Sequence, residues 1–179
     1  NEVSADKFKD LLRQIGYTGL NSEIYHSAAS ALGKAYQKVL LAQAKKAGKT
    51  EIVATAGGSG SGKSTTLDEI PAGEKSGYAM LLDGNLADYE RAVTNLKSFE
   101  KMGFKVKEIV YFYRDPVESW INGVLSRIAS KQDYRVVPLE KHLELHKGSY
   151  ETIFKLARDF TVKIWDNRFG KGQAKPISL

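Results

Sequence analysis

The sequence predicts an α/β fold in three layers: a parallel sheet of four or five strands between helices, preceded by a helical N-terminal extension. Three observations point there. Four short apolar runs, at 51–56, 78–82, 106–113 and 161–165, are rich in β-branched and aromatic residues. Segments with apolar residues at helical spacing separate them. The first run ends in a glycine-rich turn, as strands do where a parallel sheet presents its carboxyl ends to a ligand.

Taken in order, Phe8, Leu11, Leu12 and Ile15 share a helical face, with Ser4 placed as the N-cap and Gly16 as the stop. From Ser22, the positions Ile24, Ala28, Ala31, Leu32, Ala35, Tyr36, Val39 and Leu40 hold one apolar stripe until Gly48, which predicts a longer helix packed on the core. Residues 1–50 are therefore expected to form the extension and 51–179 the sheet domain. The runs EIVATA (51–56) and YAMLL (78–82) are the first two strands. Ala92, Val93, Leu96 and Phe99 align on a helix over Asp88–Met102, which Gly103 stops. VKEIVYFY (106–113) is the next strand, and Pro116 suits the first turn of a helix reaching Ala129. After a polar stretch over 130–135, a helical region runs from Pro138 to Phe160, with Gly148 as its candidate break, and the last strand closes at 161–165.

Composition narrows the partner classes. A chain of 179 residues, 42% of them hydrophobic, is long enough for one substantial core and too short for two. The net charge of +6 favours an anionic partner, although scattered pairs such as Lys45-Lys46 also suit an ordinary solvated face. With no cysteine, a disulfide framework and a thiolate metal site are excluded. No apolar run approaches the ~20 residues that cross a bilayer, so a soluble, cytoplasmic domain is expected. The chain begins at Asn1 and shows no signal peptide, which predicts a piece of a longer polypeptide with neighbouring domains as candidate partners.

The chemistry concentrates in Gly57-Gly58-Ser59-Gly60-Ser61-Gly62-Lys63-Ser64-Thr65, which satisfies G-x-x-x-x-G-K-[ST] between a predicted strand and a predicted helix. Glycines let backbone N–H groups converge on phosphate oxygens without Cβ obstruction, and the following helix adds the positive end of its dipole. Lys63 is expected at the β- and γ-phosphates of ATP and the Ser64 hydroxyl on Mg²⁺. A glycine/serine turn without a ligand is the plainer alternative.

Asp83 ends the second run, at the strand's carboxyl end facing the phosphate loop. A carboxylate there can hold Mg²⁺ through water or accept the proton of an attacking hydroxyl, while Asp-Gly-Asn is also turn-forming by itself. Arg127 and Arg135 flank the polar stretch, within an expected lid over 127–138. From there they could fold over a nucleotide, because guanidinium pairs bidentately with phosphate and stabilises charge during transfer.

Taken together, GGSGSGKST (57–65), LLDGNLADYERA (81–92), KMGFKVKEIVYFYRDP (101–116), Arg127 with YRVVPLEKH (134–142), and IWDN (164–167) resemble the zeta-toxin family from Glu51 onward. The resemblance implies a P-loop kinase related to small-molecule kinases, of a family whose members phosphorylate the sugar of UDP-N-acetylglucosamine. It implies Lys63 and Ser64 at phosphate and metal, Arg127 and Arg135 as lid arginines, Asp83 as the acidic partner, and Asn167 near the nucleotide base. It also implies a helical antitoxin that blocks the nucleotide site; residues 1–47 could mimic that role, but packing on the sheet is the expectation. One feature departs from the pattern. The better-known toxins carry an Asp-x-Asp-x-x-Arg segment after the second strand that supplies the catalytic base, and here Ser64–Gly77 leads straight into LLDGN. Asp83 has taken over as the base, or Asp68 or Glu69 serves, or transfer is impaired.

A nucleotide-sugar or related anionic metabolite is thus the expected acceptor. A polynucleotide 5′-hydroxyl is an alternative supported only by the charge, and a nucleotide-binding interaction module without turnover is another, favoured by the missing segment. His142 and His146, four apart, lack a third ligand and the Glu of H-E-x-x-H, so they are expected on a solvated helix face. Tyr111, Phe112, Tyr113, Trp120 and Trp165 are expected in the core.

Overall fold

The chain opens with a two-residue strand, β1 (Glu2–Val3), and two helices: α1 (Ala5–Leu11), tightening into a 3₁₀ turn over Leu12–Ile15, and α2 (Ser22–Lys46). Strand β2 (Glu51–Ala56) leads into α3 (Lys63–Glu69) and α4 (Ala72–Gly77), then β3 (Met80–Leu82), α5 (Tyr89–Lys101) and β4 (Lys105–Tyr113). Next, α6 (Pro116–Glu118) passes through a π-helical stretch (Ser119–Leu125) into α7 (Ser126–Ala129). The chain continues through α8 (Leu139–Leu156), β5 (Val162–Asp166) and β6 (Lys175–Ile177). This computed structural model describes residues 2–3, 5–69, 72–129, 137–169 and 173–177. The expected cap Ser4, the arginine Arg135 and most of the expected lid lie outside them.

All six strands join one sheet in the order β1-β3-β2-β4-β5-β6, parallel throughout except for β5 against β6. The two strands beyond the expected number are short edges, Glu-Val and Lys-Pro-Ile. Neither carries a β-branched run; pairing to a formed neighbour, Glu2 beside Leu81 and Ile177 beside Ile164, makes them strands. Strand β2 lies between β3 and β4, so the chain leaves it first to one side and then to the other. Its carboxyl end is the topological switch point of the sheet, where the loops diverge and leave a crevice.

One face of the sheet is covered by α5 and α8, whose Leu96, Ile153 and Leu156 pack on Ala54, Ile109 and Tyr111. Alternate residues Val53, Leu81 and Phe112 are buried on the other face, as strand geometry requires of a sheet covered on both sides. Helix α5 begins where the Asp88 carboxylate accepts the Arg91 N–H at 2.9 Å.

The expected stripe of α2 is exposed except at Leu40; the buried face runs through Ala29, Gly33, Leu40, Leu41 and Ala44 instead, and most of the helix does not meet the sheet core. Only the C-terminal turns do so, with Leu40, Leu41 and Ala44 packed on Ile52, Met80 and Phe99. Ile24, Leu32, Tyr36 and Val39 remain exposed because they lie off the buried face, Val39 directly beside the buried Leu40. The N-terminal half instead folds on α1 and the turn after it, around Leu12, Tyr17 and Ala29.

Helix α8 runs unbroken through Gly148, contrary to the candidate break. A glycine is needed there for approach, not interruption: a Cβ at that position would lie 2.5 Å from the Ala87 carbonyl oxygen. The neighbouring Ser149 hydroxyl donates to the Asn85 carbonyl at 2.6 Å, tying the same loop to the helix. Alanine at 148 gains about 1 kcal/mol of helix propensity, but crowding of a packed contact costs about 1–3 kcal/mol. Gly148→Ala is therefore expected to lower the urea midpoint, and an unchanged or raised midpoint would show that the 83–88 loop yields freely.

Candidate active site

The segment from Gly57 to Gly62 fills the crevice at the end of β2, and Lys63 and Ser64 begin α3. The Gly57 N–H donates to the Asn85 carbonyl at 3.2 Å, and the Ser61 N–H to Gly58 at 3.3 Å. The Lys63 ammonium arches back over the loop and donates to the Gly57 and Gly58 carbonyls at 2.7 and 2.9 Å. Ser64 is exposed on the first turn of α3, and Thr65 is half-buried behind it.

Other carbonyls of the loop are held from outside. The Ser59 carbonyl accepts from His146 Nε2–H of α8 at 2.9 Å. The Ser61 carbonyl accepts from the Asn167 amide, just past β5, at 2.8 Å. Arg114 Nη1 approaches the Gly60 carbonyl at 3.5 Å, the limit of a hydrogen bond. Close packing on the loop depends on its glycines, Gly62 among them, where a Cβ would lie 2.5 Å from the Asn167 amide nitrogen. The His146 ring occupies the place a Cβ on Gly58 would take, and Gly60 lies against the backbone of Ser119 and Gly123 in the π-helical stretch. With the Ser59 and Ser61 carbonyls committed to donors outside the loop, neither oxygen has to face an anion bound there.

Asp83 directly follows β3, at the switch point. Its Oδ1 accepts from the Thr55 hydroxyl of the adjacent β2 at 2.8 Å, and its backbone N–H donates to the Val3 carbonyl of β1 at 3.0 Å. The same Thr55 oxygen accepts from the Gly84 N–H at 3.2 Å. The carboxylate is therefore oriented by the strand that feeds the phosphate loop. The Ser64 hydroxyl and the Asp83 carboxylate are oxygen donors of the kind that could hold Mg²⁺, a cation that keeps waters and takes further ligands from substrate phosphates. Among the described residues no cluster of three or more His, Asp or Glu could hold a metal by itself. The side chains of Asp68 and Glu69, the alternative carboxylates, lie outside the description.

Arg127 stands on α7, its Nε–H donating to the Gly123 carbonyl one turn earlier at 2.8 Å. Asp166 is engaged by Arg168 through bonds of 2.7 to 3.1 Å, and this guanidinium holds its carboxyl below the usual range. The Arg168 guanidinium in turn lies 5.1 Å over the Tyr113 ring. Between β4 and α8, beside the loop, opens a cavity of ≈ 430 Å³ lined by Tyr113, Arg114, Lys147 and Tyr150 among others.

The histidines are not on a solvated face. His142 is fully buried, its Nε2–H donating to the Pro116 carbonyl at 2.8 Å, and His146 is 6% exposed. Their ring centroids lie 4.5 Å apart. The overlooked signal is periodic: positions 142, 146, 149, 153 and 156 form one buried helical stripe in which two histidines precede the apolar residues. Burial, with help from the neighbouring His142 and Lys63, lowers the His146 pKa, opposed by its bond to Ser59 and by Asp115. Thr55, Asn85, Arg114 and Gly123 also join the site without having been singled out from the sequence; each contacts the loop or Asp83 only through tertiary pairing.

A glycine-rich loop followed by Lys-Ser at the switch point of a mostly parallel sheet defines a P-loop fold of the nucleotide-binding kind. A family model for the zeta toxin matches residues 72–169, more than half of the chain, and the chain belongs to that family of P-loop kinase-like toxins. The match begins beyond the phosphate loop, so loop and family are independent observations. No curated protein matches the chain. No helix among the described residues is long and apolar enough to cross a membrane.

Because folding depresses the His146 pKa below its ordinary 6.5, the unfolded chain binds the proton first as pH falls. The stability contributed by the neutral ring should be complete above about pH 6.5 and decline as pH drops through the depressed value. His146→Gln, which keeps a donor and cannot titrate, should flatten this decline. Urea midpoints taken on both sides of this range measure it, and parallel curves for the two proteins would refute it.

Proposed function

We propose that the chain is an ATP·Mg²⁺-dependent kinase that moves the γ-phosphate onto a hydroxyl of a nucleotide-sugar or related anionic metabolite, acting as a toxin or effector. The observation that carries this reading is the juxtaposition at one switch point of a phosphate loop with outward-held carbonyls and the Thr55-oriented carboxylate of Asp83. The family supports it, and so does a net charge of +6 for an anionic acceptor.

In this reading the loop N–H groups and Lys63 receive the β- and γ-phosphates, Lys63 exchanging its loop carbonyls for phosphate oxygens. Ser64 and Asp83 would hold Mg²⁺, which would supply positive charge to neutralise the charge developing on the phosphates. Asp83 accepts the proton of the acceptor hydroxyl as that oxygen bonds to the γ-phosphorus, and the bond to the β–γ bridging oxygen breaks to release ADP. Arg127 and Arg135 close on the transferring group. Asn167 serves by holding the Ser61 carbonyl. A helical antitoxin that blocks the nucleotide site, and a cytoplasmic setting, follow from the same reading.

Labelled ATP·Mg²⁺ offered with UDP-sugars, nucleosides and 5′-hydroxyl oligonucleotides tests it. Label should appear on a UDP-sugar, and Lys63→Ala should abolish both binding and transfer. Asp83→Asn should leave ATP binding nearly intact while slowing transfer by about 10²–10⁴-fold, the usual weight of a general base. ATP bound but left whole beside every acceptor would overturn the kinase reading.

A further inference from the structure

We propose that His142 and His146 are positioning residues: a stacked pair on α8 that fixes the phosphate loop and the helix beginning at Pro116 in one register, and so sets the loop shape to which nucleotide binds. The inference rests on reading the loop as the nucleotide site. Both rings act through their Nε2–H, and both bonds go to backbone carbonyls, Ser59 for His146 and Pro116 for His142. Those carbonyls belong to the two segments that phosphoryl transfer must keep together. Ser59 is in the loop, and Pro116 opens the helical segment that carries Arg127.

The pair is built to be rigid. The rings sit one helical turn apart on a buried stripe, 4.5 Å between centroids, and Trp120 closes the stack edge-on at 5.1 Å from His142. The Asp115 carboxylate caps the same helical start, accepting from Val117 and Glu118 N–H at 2.9 and 3.1 Å. Gly58 allows the His146 ring to lie on the loop backbone, and its φ is not in the left-handed region, so the close approach of the ring is what calls for glycine there. A metal site is a poorer account of the pair, because each Nε2 is committed to a different carbonyl.

Two measurements on the full chain test the clamp. In the nucleotide-free protein, His146→Leu should raise amide exchange across residues 57–63 by about tenfold while the β4 amides stay protected, since one buried hydrogen bond is lost locally. His146→Gln should restore wild-type exchange, its amide standing in for Nε2–H. Gly58→Ala keeps the histidine but displaces the ring, so it should copy the leucine variant even if that variant folds poorly. Loop exchange unchanged in Gly58→Ala, or raised equally in β4, overturns the proposal.

Calorimetric titration with ATP·Mg²⁺ reads the consequence. Affinity should fall about tenfold in His146→Leu and Gly58→Ala and return in His146→Gln. Wild-type affinity in the first two would overturn the positioning role. A wild-type chain that binds no ATP would sink the proposed function, while the exchange measurement still decides the clamp.

Discussion

A loop that binds phosphate through its backbone must turn its N–H groups inward, and each carbonyl turned outward then needs a donor from somewhere else in the molecule. That constraint organises the carboxyl end of this sheet. Helix α8 supplies His146 to Ser59, the turn after β5 supplies Asn167 to Ser61, and Lys63 itself covers Gly57 and Gly58. An unpaired buried carbonyl costs about 1–3 kcal/mol, so several left unanswered would rival the whole stability of a domain this size. The loop is thus as much a product of α8 and the β5 turn as of its own glycines.

The acidic side of the site rests on the sheet itself. Thr55 and Asp83 stand at the ends of neighbouring parallel strands, where register alone sets the separation of their side chains. The N-terminal strand adds to this, because the Val3 carbonyl receives the Asp83 N–H. An extension that its sequence presents as helical padding therefore buttresses the residue proposed to accept the acceptor's proton.

Much of this was legible in the sequence, and the rest was hidden for physical reasons. The phosphate loop and the strands before and after it are local patterns, since glycine placement and β-branched runs determine them within a few residues. The two edge strands are not local: Lys-Pro-Ile becomes β6 only because β5 offers it partners. The burial of His142 and His146 is not legible locally, because a polar residue's burial depends on which carbonyls lie opposite, and those come from segments more than twenty residues away. Gly148 looked like a break because its role is to admit Ala87, which helical pattern does not record. On α2 the face that is covered passes through the small residues Ala29 and Gly33 and leaves larger apolar neighbours exposed, because α1 and the sheet select it and the helix's own pattern does not.

Between Gly123, whose backbone touches Gly60, and Arg127 lies one helical turn, and the arginine's Nε–H returns across it to the Gly123 carbonyl. Gain or loss of a single residue in that turn, part π-helical and part α-helical, would rotate the guanidinium about the helix axis while leaving the loop contact in place. Descendants of this chain can therefore vary the letters of the turn far more freely than their number. The four-residue interval from Gly123 to Arg127 is a ruler that insertion and deletion cannot edit without separating the arginine from the phosphate it is proposed to meet.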